Sequence, residues 1–283
     1  MDRQLLQTFM AVTESRSFSA AAPLLHCVQS NVTARIRRLE AQLGGTLFER
    51  GKNGARLTQL GERLRPHAVE LLLRFEEAER DLRDAAGNSA PLRLGAMETT
   101  AAVRLPPLLK AVMHLCPAAP VSLHTGPTAE LLELVWDRKL DAAFVAGPVD
   151  RNRFCSSLAF QETLVAVHAQ NSVGAMPLLA FRQGCSYRAV AEAWLRDLGR
   201  SDTTIVEMGT LDGILGCVEA GIGFAVVPEA SVSAYRNAQE LRATPLPTPL
   251  AISQTHLVWR RDGVMPKAQA ALQTLLTEKR CAE

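Results

Sequence analysis

No run of about eighteen apolar residues occurs anywhere in the 283-residue chain, so no segment is expected to cross a bilayer as a helix. The N-terminus, MDRQLLQTFMAV, lacks a charged lead followed by an apolar stretch and a small-residue cleavage site, so no export signal is expected and the cytoplasm is the expected location. The six cysteines, Cys27, Cys116, Cys155, Cys185, Cys217 and Cys281, are scattered. None forms a C-x-x-C pair or stands at metal spacing from a histidine, which argues against a disulfide framework and against zinc. Also missing are G-x-S-x-G, a Walker sequence, any internal repeat or low-complexity tract, and a His–carboxylate constellation. The six histidines, His26, His67, His114, His124, His168 and His256, are dispersed and read as structural or exposed. No catalytic residue, metal ligand or resident cofactor is therefore expected, and the chain does not read as an enzyme.

What is present is an ordinary globular composition, 47% hydrophobic and 21% charged, with an uneven spread of charge. The net charge is only +2, yet residues 1–65 hold ten Lys and Arg against five Asp and Glu, leaving the remaining chain net acidic. A basic excess confined to one module is the electrostatic footprint expected of contact with phosphates.

That module has a readable pattern. Val32, Ile36, Leu39 and Leu43 recur at intervals of four, three and four, which places them in one stripe of a helix facing a core. Ser30, Asn31, Thr33, Ala34, Arg37 and Arg38 must then point elsewhere, a short, polar and cationic face able to approach base edges. An earlier short helix, opened by Ser17 or Ser19 and packed through Phe18, Ala21, Ala22 and Leu25, would cross over it. A solvated helix with a chance arginine cluster is the plainer alternative, but the basic wing that follows counts against it.

The segment closely resembles the DNA-binding domain of the LysR-type transcriptional regulators. The resemblance rests on Phe9, Val12, Ser17, Phe18, Ala21, Ala22, Leu25, Gln29, Ile36, Leu39 and Glu40, followed by Leu43, Gly44, Leu47, Phe48, Arg50, Leu57, Thr58 and Gly61. It implies a winged helix-turn-helix over 1–58, with Gln29, Ser30, Asn31, Thr33, Arg35, Arg37, Arg38, Arg50, Lys52 and Arg56 on DNA. Two positions depart from the family. Val28 stands where a capping Ser is common, so about 1 kcal/mol of capping is lost unless another residue substitutes. Pro23 falls inside the second helix, where it is expected to be tolerated only near the first turn.

From Thr58 to about Ala86, Leu64, Ala68, Leu71, Phe75, Ala78 and Leu82 alternate by four and three. This heptad seam predicts one long helix over 59–87 that pairs with its own copy or packs on its own domain, and the resemblance favours the linker helix of a homodimer or homotetramer. Residues 88–91 read as a hinge. Beyond it, Leu92–Ala96, Val121–Thr125 and Asp141–Ala146 read as buried strands separated by helices at about 100–115 and 128–139, giving βαβ units and a parallel sheet. A second set of strands falls at 163–169, 177–181, 203–207, 224–227 and 255–260, with helices over 187–198, 211–220 and 267–279. The fold class expected is α/β. Residues 92–283 resemble the family's effector-binding domain, itself similar to periplasmic solute-binding proteins. One subdomain is expected over about 92–161 and 262–283, the other over about 162–261.

Ligands of open α/β sheets sit beyond the carboxyl ends of strands. Met97–Thr100, Gly126–Thr128 and Ala146–Pro148 lie at such ends. The resemblance implies a small-molecule effector touching Met97, Thr99, Thr100, Thr128, Gly147, Cys185, Arg188 and Thr210, although each threonine could equally be a helix cap. Glu98 would disfavour an anionic effector unless Arg104 or Arg188 offset it, so the sequence leaves the charge of the ligand open. Cys185, at a predicted helix start beside Arg188, meets conditions that lower a thiol pKa, and its position is similar to that of the peroxidatic cysteine in peroxide-sensing members of the family. No resolving cysteine stands two turns on, where the chain reads Ala193-Trp194-Leu195. A thiol redox sensor acting through Cys185 is thus the alternative to a regulator controlled by a bound effector. The expected partners are promoter DNA, a small molecule, further copies of the chain and, at a promoter, RNA polymerase; no membrane is expected.

Overall fold

The computed structural model describes residues 1–51, 54–87, 90–172, 174 and 176–282. Lys52 and two of the expected hinge residues, Asn88 and Ser89, lie outside that set. The chain forms two compact units, Met1–Leu82 and Arg83–Glu283.

In the first unit, α1 (Arg3–Ser15), α2 (Phe18–Leu24) and α3 (Gln29–Leu43) bury Leu5, Phe9, Val12, Ala21, Val32, Ile36 and Leu39 in one core. Ser17 is the N-cap of α2, accepting from the Ala20 N–H at 3.2 Å. Two expectations fail here. Pro23 stands in the last turn of α2, not the first; the helix ends at Leu24, so only the exposed Ser19 carbonyl loses its partner. Leu43 is 38% exposed, because it is the last residue of α3 before the left-handed Gly44 cap and lies past the end of the core.

The wing is an antiparallel pair, β1 (Phe48–Gly51) and β2 (Gly54–Leu57), with Glu49 opposite Arg56. Glu40 ties α3 to it by accepting the Leu47 N–H at 2.7 Å, and the Ala55 N–H is held by the Arg16 carbonyl at 2.8 Å. Thr58 accepts from the Gly61 N–H at 3.1 Å while donating to the Thr46 carbonyl at 2.7 Å, and so starts α4 (Gln59–Ala85). A Cβ at Gly61 would stand 2.4 Å from the Leu47 carbonyl oxygen, which restricts this position to glycine. Along α4, Leu64 and Ala68 join the core, whereas Leu71, Phe75, Ala78 and Leu82 are exposed, Leu82 at 69%.

The second unit is built on a seven-stranded sheet in the order β10–β6–β11–β5–β3–β4, with β9 also paired to β6. These strands are β3 (Leu92–Ala96), β4 (Val121–Thr125), β5 (Ala142–Ala146), β6 (Phe154–Ala169), β9 (Ala225–Pro228), β10 (Leu241–Pro245) and β11 (Ile252–Arg260). The sheet is mixed, a correction to the parallel expectation. Within it β3 pairs in parallel with β4 and β5, while β6 pairs antiparallel with β9, β10 and β11, and β11 antiparallel with β5. A separate parallel pair joins β7 (Leu178–Ala180) and β8 (Ile205–Glu207). The expected buried strand Val121–Thr125 is instead a largely exposed edge, β4, paired on one side only.

Helix α6 (Leu105–Leu115) and α11 (Lys267–Ala282) cover the β3–β5 region through Leu105, Leu108, Val112, Leu272 and Leu276. Helix α9 (Leu211–Glu219) covers the second lobe through Ile214, Leu215 and Val218 against Val165, Val167 and Val227. The 16-residue β6 belongs to both lobes: its first part pairs with β11, its last part with β9 and β10. Since β11 lies between β5 and β6, residues 252–260 sit in the first lobe's sheet, not with the second lobe as the sequence suggested.

Candidate functional site

Two regions qualify, one in each unit. In the first, the start of α3 has Val28 as N-cap with no side-chain hydrogen bond, as the sequence implied. The positive end of the helix dipole is left uncapped by any side chain. Gln29, Ser30 and Asn31 are exposed beside it. The Gln29 side-chain oxygen accepts from the Ser19 hydroxyl at 3.0 Å, so α2 holds this amide in position and leaves its N–H groups free to donate. Thr33 and Arg35 are half-buried, Arg37, Arg38 and Arg56 exposed; Arg38 approaches the Asp2 carboxylate at 3.9 Å. The side chain of Arg50 and all of Lys52 fall outside the described residues.

In the second unit a cavity of about 280 Å³ opens where the strand-end rule places it. Met97, Glu98 and Thr99 follow β3 on α5 (Glu98–Val103); His124, Thr125, Gly126 and Pro127 end β4, with Glu130 from α7 (Thr128–Trp136). Phe181 and Arg182 follow β7, Cys185 and Tyr187 open α8 (Ser186–Asp197), and Met208 and Gly209 follow β8. Of the residues the sequence singled out, Met97, Thr99 and Cys185 line this cavity. Thr128, Gly147 and Arg188 instead line a neighbouring, more open hollow of about 880 Å³, which Cys185 also borders. Thr128 is the first residue of α7, not its cap, and its hydroxyl donates to the Ala146 carbonyl at 3.1 Å. Thr100 is buried with its hydroxyl unpartnered and lines neither space, while Thr210 caps α9 through the Gly213 N–H at 3.1 Å and also lines neither.

Electrostatics behind the cavity correct two further readings. Arg104 donates to Glu162 at 3.1 Å, and Arg188 is committed to Glu192 at 2.8 Å and Glu207 at 2.9 Å, so neither cation is free to offset Glu98. Glu162, 5% exposed, also accepts from the Tyr187 hydroxyl at 3.0 Å. Burial first, and then the Glu162 charge, push the Tyr187 phenol far above its usual range, so it stays protonated and donating. The Cys185 thiol is raised, not lowered: burial outweighs the nearby Arg188 and Tyr187 N–H groups and the Arg188 charge. Lastly, a His–carboxylate pair does exist, His124 to Glu130 at 3.1 Å across the end of β4. It joins residues six apart in sequence, and both are exposed.

The sequence missed Glu130, Phe181, Arg182, Tyr187, Met208 and Gly209. Phe181, Arg182, Met208 and Gly209 were recoverable from the same strand-end rule, had it been applied to the strands at 177–181 and 203–207.

Fold and sites together define a class, a winged-helix DNA-binding unit joined by a long helix to a two-lobed ligand-binding unit. Residues 3–62 match the family model described as bacterial regulatory helix-turn-helix protein, lysR family, and residues 85–280 match the LysR substrate binding domain. The chain belongs to the LysR-type transcriptional regulators. It is 37% identical over 283 residues to the uncharacterized HTH-type transcriptional regulator YusT of Bacillus subtilis (strain 168), covering 98% of this chain and 96% of that one. Among solved structures, full-length CbnR in complex with its target DNA has a TM-score of 0.69 at 22% identity, covering 98% and 99% of the two chains. A full-length OxyR variant from Pseudomonas aeruginosa has a TM-score of 0.67 at 23% identity, covering 98% and 97%. At these identities the two structures speak for the fold.

Proposed function

We propose that this regulator is a cytoplasmic protein that reads promoter DNA as a dimer, or as a tetramer of two such dimers, and changes that contact when a small molecule fills the 280 Å³ cavity. The carrying observation is the cavity itself, whose wall draws on the ends of β3, β4, β7 and β8 and thus on both lobes. A ligand that contacts both lobes can favour one arrangement over another, which any switch requires. Dimerisation along Leu71, Phe75, Ala78 and Leu82 on α4 fits an apolar stripe that stands exposed. The small molecule acts as ligand and not as substrate, and RNA polymerase is the protein the regulator meets at a promoter. The buried, proton-holding Cys185 thiol favours effector binding over peroxide sensing.

On DNA, Gln29, Ser30, Asn31 and Thr33 read base edges, while Arg35, Arg37, Arg38, Arg50, Lys52 and Arg56 hold phosphates or enter the minor groove. The CbnR complex with its target DNA supports the use of this unit on a duplex. Anisotropy titrations on operator and random duplexes test the division of roles. Gln29→Ala should lose about 1–3 kcal/mol on the operator and little on random DNA, and Arg56→Ala should weaken both and flatten the salt dependence by about one unit. Equal losses for both variants on both duplexes would show that the roles are wrongly divided. Leu71→Asp should abolish the α4-paired dimer in sedimentation, since a carboxylate buried without a partner costs several kcal/mol.

A further inference from the structure

We propose that the effector carries a protonated amine, bound by the Glu98 carboxylate and the Thr99 hydroxyl, with its apolar body against Phe181, Tyr187 and Met208. This rests on the reading of the 280 Å³ cavity as the effector site and adds the chemical class of its occupant. Both helix N-termini at the first lobe's wall already carry a carboxylate of their own, Glu98 in the first turn of α5 and Glu130 in the first turn of α7. The positive helix ends that would attract an anion are therefore neutralised from within. Arg104 and Arg188 are bound by Glu162, Glu192 and Glu207, and His124 is paired with Glu130. Glu98, half-exposed at the wall, makes no hydrogen bond or ion pair among the described residues.

The second observation is the Thr99 hydroxyl. It belongs to a cavity-lining residue only 3% exposed, and it faces the Tyr187 oxygen without a hydrogen bond of ordinary geometry. Tyr187 gives its own proton to Glu162. Glu98 thus offers an unpaired carboxylate at the wall, with the unsatisfied hydroxyl of Thr99 next to it in the chain and buried just behind the surface; a donor-only ammonium group suits both. Phe181 and Tyr187 line the same cavity, and aromatic rings attract a cation. The volume suits a ligand of about a dozen heavy atoms, since a cavity near 150 Å³ holds benzene. Arg182, exposed on the opposite wall, receives a carboxylate where the ligand is an amino acid instead of a simple amine.

The experiment is calorimetry on the full-length chain with three probes of one skeleton: phenethylamine, phenylalanine and 3-phenylpropanoate. The two amines should bind at least tenfold tighter than the carboxylate. Glu98→Gln should cut amine affinity about tenfold while leaving the carboxylate unchanged or better, whereas Glu130→Gln, whose carboxylate is paired with His124, should cut it less; an equal or larger loss at Glu130 would overturn the assignment to Glu98. Arg182→Gln separates the sources, weakening phenylalanine if the occupant is an amino acid and neither amine if it is not. Met208→Trp, which fills the cavity, should abolish binding of every probe. A carboxylate that binds best and gains from Glu98→Gln overturns the amine while keeping the site. Binding that Met208→Trp leaves untouched, or no binding by any of the three, overturns the site reading and the amine with it.

Discussion

The two units use the same side chain in opposite ways. In the effector unit four arginines around the sheet and cavity are tied inward, Arg93 to Asp141 at 2.8 Å, Arg104 to Glu162, Arg138 to Asp262 at 3.0 Å, and Arg188 to two carboxylates, while Arg182 stays exposed. In the DNA-reading unit Arg3 pairs with Glu79 and Arg74 with Glu77, but Arg37 and Arg56 stand exposed with no ion pair among the described residues. The difference teaches that arginine count alone does not mark an anion site. A guanidinium is available to a ligand only where the fold supplies no carboxylate for it.

The comparison breaks most visibly at Arg104. Removing it leaves the buried Glu162 charge facing only a phenol, and Arg104→Ala should cost about 3 kcal/mol or more. All three tryptophans, Trp136, Trp194 and Trp259, lie in the effector unit, so urea unfolding followed by tryptophan fluorescence reads this loss directly. A variant as stable as wild type would mean that the inward pairing is ornamental. Next in size is a cap in the other unit. Thr58→Ala removes the hydroxyl that both starts α4 and fastens Thr46, and should destabilise the DNA-reading unit by about 1 kcal/mol in a helix-signal melt. Arg56→Ala should by contrast change stability by less than about 0.5 kcal/mol despite its effect on DNA, and a larger drop would erase the distinction between the units.

The smallest effect is a pH dependence. Burial, then Arg242 and Arg200, lower the pKa of His168 below its ordinary 6.5, and its ring stacks on Phe224 at 5.3 Å. As pH falls through 6.5 the unfolded chain takes up a proton that the folded one refuses, so stability declines on acidification from there and is full above it. His168→Gln should flatten that part of the stability–pH curve, and an unchanged slope would rule His168 out as its source.

The DNA-reading motif was legible because its determinants are local: Ser17 caps a helix three residues on, and Val32, Ile36 and Leu39 declare one face of a single helix. Strand-end positions such as Met97 and Thr99 were legible for a similar reason, since the apolar run of β3 announces its own end. Long-range pairing was not. Val121–Thr125 has the pattern of a buried strand, and only the absence of a second neighbour makes it an edge. Arg104 looked available because its partner Glu162 stands 58 residues away. The first half of β6, Phe154–Glu162, escaped because Ser156 and Ser157 interrupt its apolar pattern within the stretch paired with β11.

That shared strand sets the mechanics of the effector unit. A single continuous ribbon bonded to β11 in one lobe and to β9 and β10 in the other is stiff along its length, because sliding would shear several ladder hydrogen bonds at once. It is compliant in torsion, the deformation a twisted sheet already accommodates. The lobes are accordingly joined as by a torsion spring, so a twist of one lobe about the axis of β6 meets less resistance than a translation along it.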